Sequence, residues 1–251
     1  MSITSLIPIP PNINPGISNA KQKTMLSLLG APRDSYGSQC DDLTNPKISR
    51  LIVHGQNVGP FKATGLRPAV TSLKAVMANI AKQYPEIYVA LGSAGMLCVR
   101  RVKGSNTAIS NHSWGTAIDL TLNGQLDCRG DNQVQQGLAD IAPIFNDHGW
   151  FWGAGFSTED AMHFECGDDL IRQWHAQKFF EQGAFPDTLM LGDRGPDVRT
   201  LQTALIRSGI QIKVDGIYGP DTQKAVKQYQ NNKKIPESGE ANAETLKGLG
   251  L

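Results

Sequence analysis

Two short stretches of this chain alternate apolar and polar side chains with a period of two. In the first, Ala117, Asp119 and Thr121 interleave with Ile118, Leu120 and Leu122; in the second, His163 and Glu165 interleave with Met162, Phe164 and Cys166. That period belongs to β-strands with one face packed and the other offering polar groups. Two such strands can bring Asp119 and His163 together. The segment just upstream, Ser110-Asn111-His112-Ser113-Trp114-Gly115, supplies a second imidazole. An uninterrupted strand would hold His112 and Asp119 about 23 Å apart at ~3.3 Å per residue, so one centre can use both only if the chain reverses between them. Gly115 sits where reversal costs least, because glycine accepts the backbone angles of tight turns.

Two imidazoles and one carboxylate suit zinc and leave a fourth position open, whereas closed structural sites usually take four protein ligands, often cysteine. The set His112, Asp119 and His163 therefore points to a catalytic centre holding one zinc ion. A single histidine is more often a surface or hydrogen-bonded residue, but two in matched words carry far more weight. His54, His148 and His175 match no ligand position and are expected to be structural or solvated. Trp114, Trp150 and Trp152 are expected in the core or along a cleft wall, with Gly149 to Gly153 forming a turn and packing segment.

The words Ser-x-His-x-x-Gly-x-Ala-x-Asp, over 110–119, and Asp-x-x-His-Phe-Glu, over 160–165, resemble the zinc peptidases that cleave peptidoglycan stem peptides. That family includes D-alanyl-D-alanine carboxypeptidases, D-Ala-D-Ala dipeptidases and phage L-alanyl-D-glutamate endopeptidases, and the resemblance covers roughly residues 45–175. It implies His112, Asp119 and His163 as ligands. It implies Asp160 as general base, in a position where many members carry Glu, with Glu159 and Glu165 as the alternatives. It also implies an upstream arginine that steadies the substrate carbonyl, for which spacing favours Arg101 over Arg100. Ser110 and Trp114 are candidate substrate contacts, and Glu165 a candidate to orient a ligand from behind.

The N-terminal twenty residues contain no Lys or Arg before Lys21, and Pro8, Pro10, Pro11 and Pro15 interrupt any continuous helix. No secretory signal is read there, and residues 1–43 are expected to form an extended arm. An enzyme of the cytoplasm acting on the wall would then leave through a holin or an injection system. With 40% hydrophobic and 19% charged residues and a net charge of +1, nothing suggests capture by nucleic acid or anionic lipid. The longest mostly apolar run, Ile87 to Val99, is far short of the ~20 residues of a membrane helix. Cys40, Cys98, Cys128 and Cys166 show no Cys-x-x-Cys spacing; disulfides and reduced thiols remain open alternatives, with three full pairings.

Apolar spacing predicts helices over Val70–Tyr84, ended by Pro85, and over Gln133–His148, and a strand over Ile87–Leu91. The expected fold is α+β: a peptidase domain over 44–184, with a small antiparallel sheet carrying the zinc site and flanking helices. Phe185-Pro186-Asp187 marks a boundary to a C-terminal all-α, three-helix domain over 187–251. There Asp193 or Asp197 is expected to cap the first helix, Asp215-Gly216 and Gly219-Pro220 to turn, and Ala225, Val226 and Tyr229 to pack inward. This string resembles the three-helix peptidoglycan-binding module of wall hydrolases, and with nine basic against eight acidic residues it is nearly neutral.

Together the resemblances imply a monomeric zinc peptidase that hydrolyses an amide bond in peptidoglycan stem peptides, tethered to its polymer. Zinc would polarise the scissile carbonyl, Asp160 would relay a proton and Arg101 would stabilise the oxyanion. The missing signal and the wall-binding module favour a lytic, endolysin-like endopeptidase. A D,D-carboxypeptidase, an injected antibacterial toxin of the same chemistry, and a binding protein with a degenerate site are the rivals.

Overall fold

The computed structural model describes residues 2–180 and 188–251. They separate into two compact units, the first tracing the N-terminal stretch apart from Val53–Gly55, which group with the C-terminal residues. The expected boundary at Phe185-Pro186-Asp187 lies outside the described residues.

The N-terminal unit opens with β1 (Leu6–Pro8), α1 (Gln22–Leu28), α2 (Pro46–Ser49), β2 (Ile52–Asn57), β3 (Lys62–Leu66) and α3 (Arg67–Gln83). It continues through α4 (Pro85–Ala90), β4 (Leu91–Gly95), β5 (Ala117–Leu122), β6 (Gln133–Gln135), α5 (Gln136–Asp147), β7 (Trp150–Trp152), β8 (His163–Cys166) and α6 (Asp168–Ala176). An antiparallel sheet in the order β4-β5-β8-β7 is its centre. The aliphatic phase of β5, Ile118, Leu120 and Leu122, is fully buried with Phe164 of β8, as are Leu73, Val76 and Ile80 of α3 and Leu138, Ile141 and Phe145 of α5. The Phe145 and Phe164 rings stack with centroids 4.1 Å apart, and Trp150 meets Phe145 edge-on at 5.7 Å. This is the α+β arrangement expected, with helices on the apolar side of the four-stranded antiparallel sheet, and it adds two two-stranded pairs, β1-β6 and β2-β3.

Three local expectations need correction. Ile87–Leu91 is not a strand: Pro85 stops α3 and then serves as the first residue of α4, where its missing N–H costs nothing, and the strand starts only at Leu91. Trp150–Trp152 is an edge strand rather than a turn; all three residues are buried, so no polar phase marks it. The arm over 1–43 is not merely extended. β1 pairs with β6, α1 buries Met25, and Asn14 is a buried clamp whose Oδ1 accepts from Trp152 N at 2.7 Å while its Nδ2 donates to Trp152 O at 2.9 Å. Cys40 and Cys98 form a disulfide that fastens the end of this segment; Cys128 and Cys166 are thiols.

The C-terminal unit holds β9 (Thr188–Leu189), α7 (Pro196–Arg207), α8 (Pro220–Lys233), β10 (Ala241–Asn242) and α9 (Ala243–Gly248), with β9 and β10 paired antiparallel. Leu189, Val198, Leu201, Leu205, Tyr218, Val226 and Tyr229 form its core. The N-cap of α7 is Gly195 rather than Asp193 or Asp197, and the helix begins at Pro196. Two buried glutamines repeat one device. Gln202 Nε2 donates to Asp215 Oδ1 at 2.9 Å while its Oε1 accepts from Gly216 N; Gln230 Nε2 donates to Glu240 O at 2.8 Å while its Oε1 accepts from Gly239 N. Each amide thus holds the turn that follows its own helix, satisfying donor and acceptor together.

Candidate metal centre and cleft

The register of β5 against β8 sets Asp119 directly opposite His163. Directly paired residues of antiparallel strands project from the same face within reach of one another. On the other side of β5, Asp119 is opposite Gly95, which has no side chain to crowd it. His112 arrives from a 3₁₀ turn, Asn111–Trp114, closed by Gly115 in the left-handed region at φ +66°. A Cβ at Gly115 would lie 2.8 Å from both Gly65 Cα and Leu66 N. The reversal is therefore available only to glycine.

The result is a nearly equilateral triangle of donors. His112 Nε2 lies 3.2 Å from Asp119 Oδ1 and 3.2 Å from His163 Nδ1, and His163 Nδ1 lies 3.0 Å from Asp119 Oδ1. Tetrahedral zinc with bonds of 2.0–2.1 Å separates its ligands by about 3.3 Å, so the three donors could hold that ion with small adjustments. The backs of the rings settle which nitrogens face inward. His112 Nδ1 lies 3.1 Å from Met96 O, and His163 Nε2 lies 2.9 Å from Glu165 Oε2. A carbonyl and a carboxylate accept only, so each ring in its neutral form keeps its proton there and turns its remaining lone pair into the triangle. Two lone pairs and a carboxylate at such distances repel unless a cation sits among them.

Without a metal, a proton takes the cation's place in the triangle, and zinc would have to displace it. Burial opposes a charged His163, but hydrogen bonds and charge from Asp119 and Glu165 outweigh it and push its pKa up to about 10. Burial likewise acts to raise Asp119, yet His112 and His163 hold its carboxyl far below the usual range. Glu165 is buried and completely used: its Oε1 accepts from Asn111 Nδ2 at 2.9 Å and from Ala20 N at 3.1 Å.

The triangle lies in a cleft of about 400 Å³ that Asp160, Ser110 and Glu165 also line. Burial raises the Asp160 carboxyl; the charge of His163 opposes this and that of Asp119 adds to it. Asp160 Oδ2 also lies 3.3 Å from Arg129 Nε. Of the two arginines weighed from spacing, Arg100 lines this cleft, whereas Arg101 lines a separate depression beside Tyr36 and Gly37. The cause is the local bridge of Arg101 to Ile109, with Arg101 N donating to Gly37 O, which turns adjacent side chains to opposite sides. Trp114 is not in the cleft: it is fully buried, and its indole N–H donates to Gly30 O at 2.8 Å. Glu159 is also withdrawn, with Oε2 accepting from Gly130 N and Asn132 N.

Sequence reasoning missed Arg129, Asn111 and the cleft wall from Asn19 to Gln22. Asn111 lay inside the word already singled out, and its amide type suited a bridging role. The N-terminal wall left no such signal.

The fold and site define a modular chain: an α+β unit bearing a His-Asp-His centre on its sheet, and a helical unit of its own. Residues 103–166 match the family model described as D-alanyl-D-alanine carboxypeptidase, and residues 194–249 match that of a peptidoglycan binding domain. Two separate stretches of the chain thus resemble these two families, one in each unit. Among solved structures, a Burkholderia AP3 phage endolysin is 41% identical over 26% of this chain and 25% of its own, with a TM-score of 0.25. The SleB N-terminal domain is 35% identical over 27% of this chain and 94% of its own, with a TM-score of 0.26. A peptidoglycan-binding protein from Clostridioides difficile is 24% identical over 27% of this chain and 43% of its own, also with a TM-score of 0.26. The chain spans about a quarter of the endolysin it resembles. No match is found among curated proteins. Among the described residues, no helix is long and apolar enough to cross a membrane.

Proposed function

We propose that this protein is a zinc-dependent peptidase that hydrolyses an amide bond in the peptide stems of bacterial peptidoglycan, held on its polymer by the C-terminal unit. The observation that carries the reading is the donor triangle of His112, Asp119 and His163, with the far ring nitrogens held by Met96 O and Glu165 Oε2, inside a cleft shared with Asp160. Zinc, when bound by these three residues, supplies Lewis-acid polarisation of the scissile carbonyl. Asp160, its basicity increased by burial, takes the proton of the attacking water and delivers it to the leaving amine. Arg129 holds Asp160 in place from 3.3 Å. Arg100 takes the role first considered for Arg101, stabilising the oxyanion, because it is the one on the cleft. Lys21, Arg100, Lys103 and Arg129 around the cleft suit a substrate bearing carboxylates, as stem peptides do.

An endolysin-like endopeptidase fits the joined wall-binding unit, since tethering raises local substrate concentration only on a polymer. A D,D-carboxypeptidase is the second reading, favoured by the description of the matching family. Mass spectrometry of peptides released from purified sacculi distinguishes them by the bond cut. Asp160→Ala should retain zinc and lose ~10²–10⁴-fold in turnover, whereas His112→Ala should lose the metal itself. Full zinc in His112→Ala, or a loss below tenfold in Asp160→Ala, would overturn the assignment.

A further inference from the structure

A second polar centre lies outside the lining of the cleft. One oxygen from each of Asp127, Asp131 and Glu159 lies within 4.8 Å of the other two. Asp127 and Glu159 are 96% and 97% buried by residue, and the fold satisfies only half of each. Asp127 Oδ2 accepts from Gln135 N at 2.6 Å, and Glu159 Oε2 accepts from Gly130 N and Asn132 N, both at 2.9 Å. Asp127 Oδ1 and Glu159 Oε1 are buried with no partner, and so is the amide oxygen of Gln135, the residue whose N–H holds Asp127. The charged side chains that bear most on Asp127 are Glu159, Asp131 and Asp160, all acidic. Buried charge of one sign with unfilled acceptors is costly unless a cation compensates it.

We propose that these residues form a second metal site, distinct from the His-Asp-His centre, which takes calcium. The donors are all oxygen, which selects hard cations over zinc, and Ca–O bonds of 2.3–2.6 Å span oxygens at this separation. Asp131 is exposed and offers the way in and room for coordinating water. The backbone has been shaped around the acids: Gly130 and Asn132, at φ +86° and +61°, fold the loop so that both N–H groups reach Glu159. Occupancy would tie this loop to the Thr158–Asp160 segment. Arg129 sits on the loop and Asp160 follows Glu159, so calcium would brace the pair that faces the cleft.

The test uses the full-length, zinc-loaded protein, freed of calcium and equilibrated with radiolabelled calcium at fixed zinc. One calcium per chain should bind, and thermal unfolding should shift upward with calcium concentration. Asp131→Asn, at an exposed position that should not disturb folding, should weaken calcium binding at least tenfold and leave zinc content unchanged. Asp127→Asn should do the same, and if it fails to fold Asp131→Asn still decides. No calcium bound at millimolar concentration, or wild-type binding by Asp131→Asn, would overturn the proposal. Neither readout involves peptide hydrolysis, so failure here leaves the peptidase reading standing and the converse holds.

Discussion

Replacing Glu165 by glutamine removes one charge and almost no volume, yet it should weaken zinc binding by ten- to a hundredfold. The carboxylate accepts three hydrogen bonds, from His163 Nε2, Asn111 Nδ2 and Ala20 N. An amide has one acceptor oxygen and one NH₂ group, so it cannot repeat that set. With the oxygen toward His163, the NH₂ confronts two donors at 2.9 and 3.1 Å. With the NH₂ toward His163, the ring must move its proton to Nδ1, and the lone pair needed at the centre is lost. The first orientation costs stability, at about 1–3 kcal/mol for each buried group left unpaired. The second costs metal affinity directly. Partners behind metal-bound histidines typically contribute ten- to a hundredfold in affinity, about 1.4–2.7 kcal/mol. Competition with a chromophoric zinc chelator at neutral pH measures the affinity, and circular dichroism checks that the variant is folded. A folded Glu165→Gln protein whose zinc dissociation constant stays within threefold of wild type would refute this account of how the site is held.

Gly115→Ala places a Cβ 2.8 Å from backbone atoms of Gly65 and Leu66 and forces a left-handed angle on alanine, so denaturant unfolding should show a loss of about 2–4 kcal/mol. The Cys40–Cys98 bridge closes a loop of 58 residues, which chain entropy values at roughly 4 kcal/mol; Cys40→Ser with Cys98→Ser should lower the unfolding midpoint, and an unchanged midpoint would contradict it. Burial acts to raise Asp168, but Lys21 N, Thr24 and Arg172 outweigh it and lower its pKa below 3.8. A depressed carboxyl stabilises the fold above its unfolded value and stops doing so as pH falls through the folded one. The protection of Lys21 N, its exchange taken relative to an unstructured amide at the same pH, should therefore fall below about pH 4, and Asp168→Asn should show the lower protection already at neutral pH.

The period-two pattern made β5 and β8 legible, because each has one packed face and one polar phase, and it placed Asp119 and His163 correctly on the polar one. Helix α3 was legible for the same kind of reason, with Leu73, Val76, Met77 and Ile80 on one stripe. Strand β7 was not, since Trp150, Phe151 and Trp152 are buried on both faces and no alternation survives. Adjacent arginines illustrate the limit at the site: a one-residue change of phase in an irregular bridge decides whether Arg100 or Arg101 reaches the cleft, and spacing cannot fix that phase. Met96 O and Ala20 N were beyond sequence reasoning because they are backbone groups, present at every position and distinguished only by where the chain folds. The acidic centre was hidden by distance along the chain, as Glu159 joins Asp127 and Asp131 only through the fold.

The N-terminal segment turns out to belong to the site's own support. Ala20 uses both of its backbone groups there: its N–H donates to Glu165 Oε1, and its C=O accepts from Asn111 Nδ2, which in turn donates to the same Glu165 oxygen. Asp168 on α6 fixes the next peptide through Lys21 N, and Gln22 Oε1 accepts from Ile109 N at 2.7 Å. A continuous hydrogen-bonded path therefore runs from Ala20 through Glu165 to His163 Nε2. Buried networks of this kind hold position only when every member is satisfied. If docking of residues 18–22 orients His163 for metal, metal must favour docking by the same factor, because the coupling between two equilibria is reciprocal. Zinc loading should then slow hydrogen exchange at Ala20 and Lys21 in wild type. In Asn111→Ala, where the bridge between the two strands of the network is cut, that slowing should be smaller. Equal protection of these amides with and without zinc would separate the wall of the cleft from the metal it encloses.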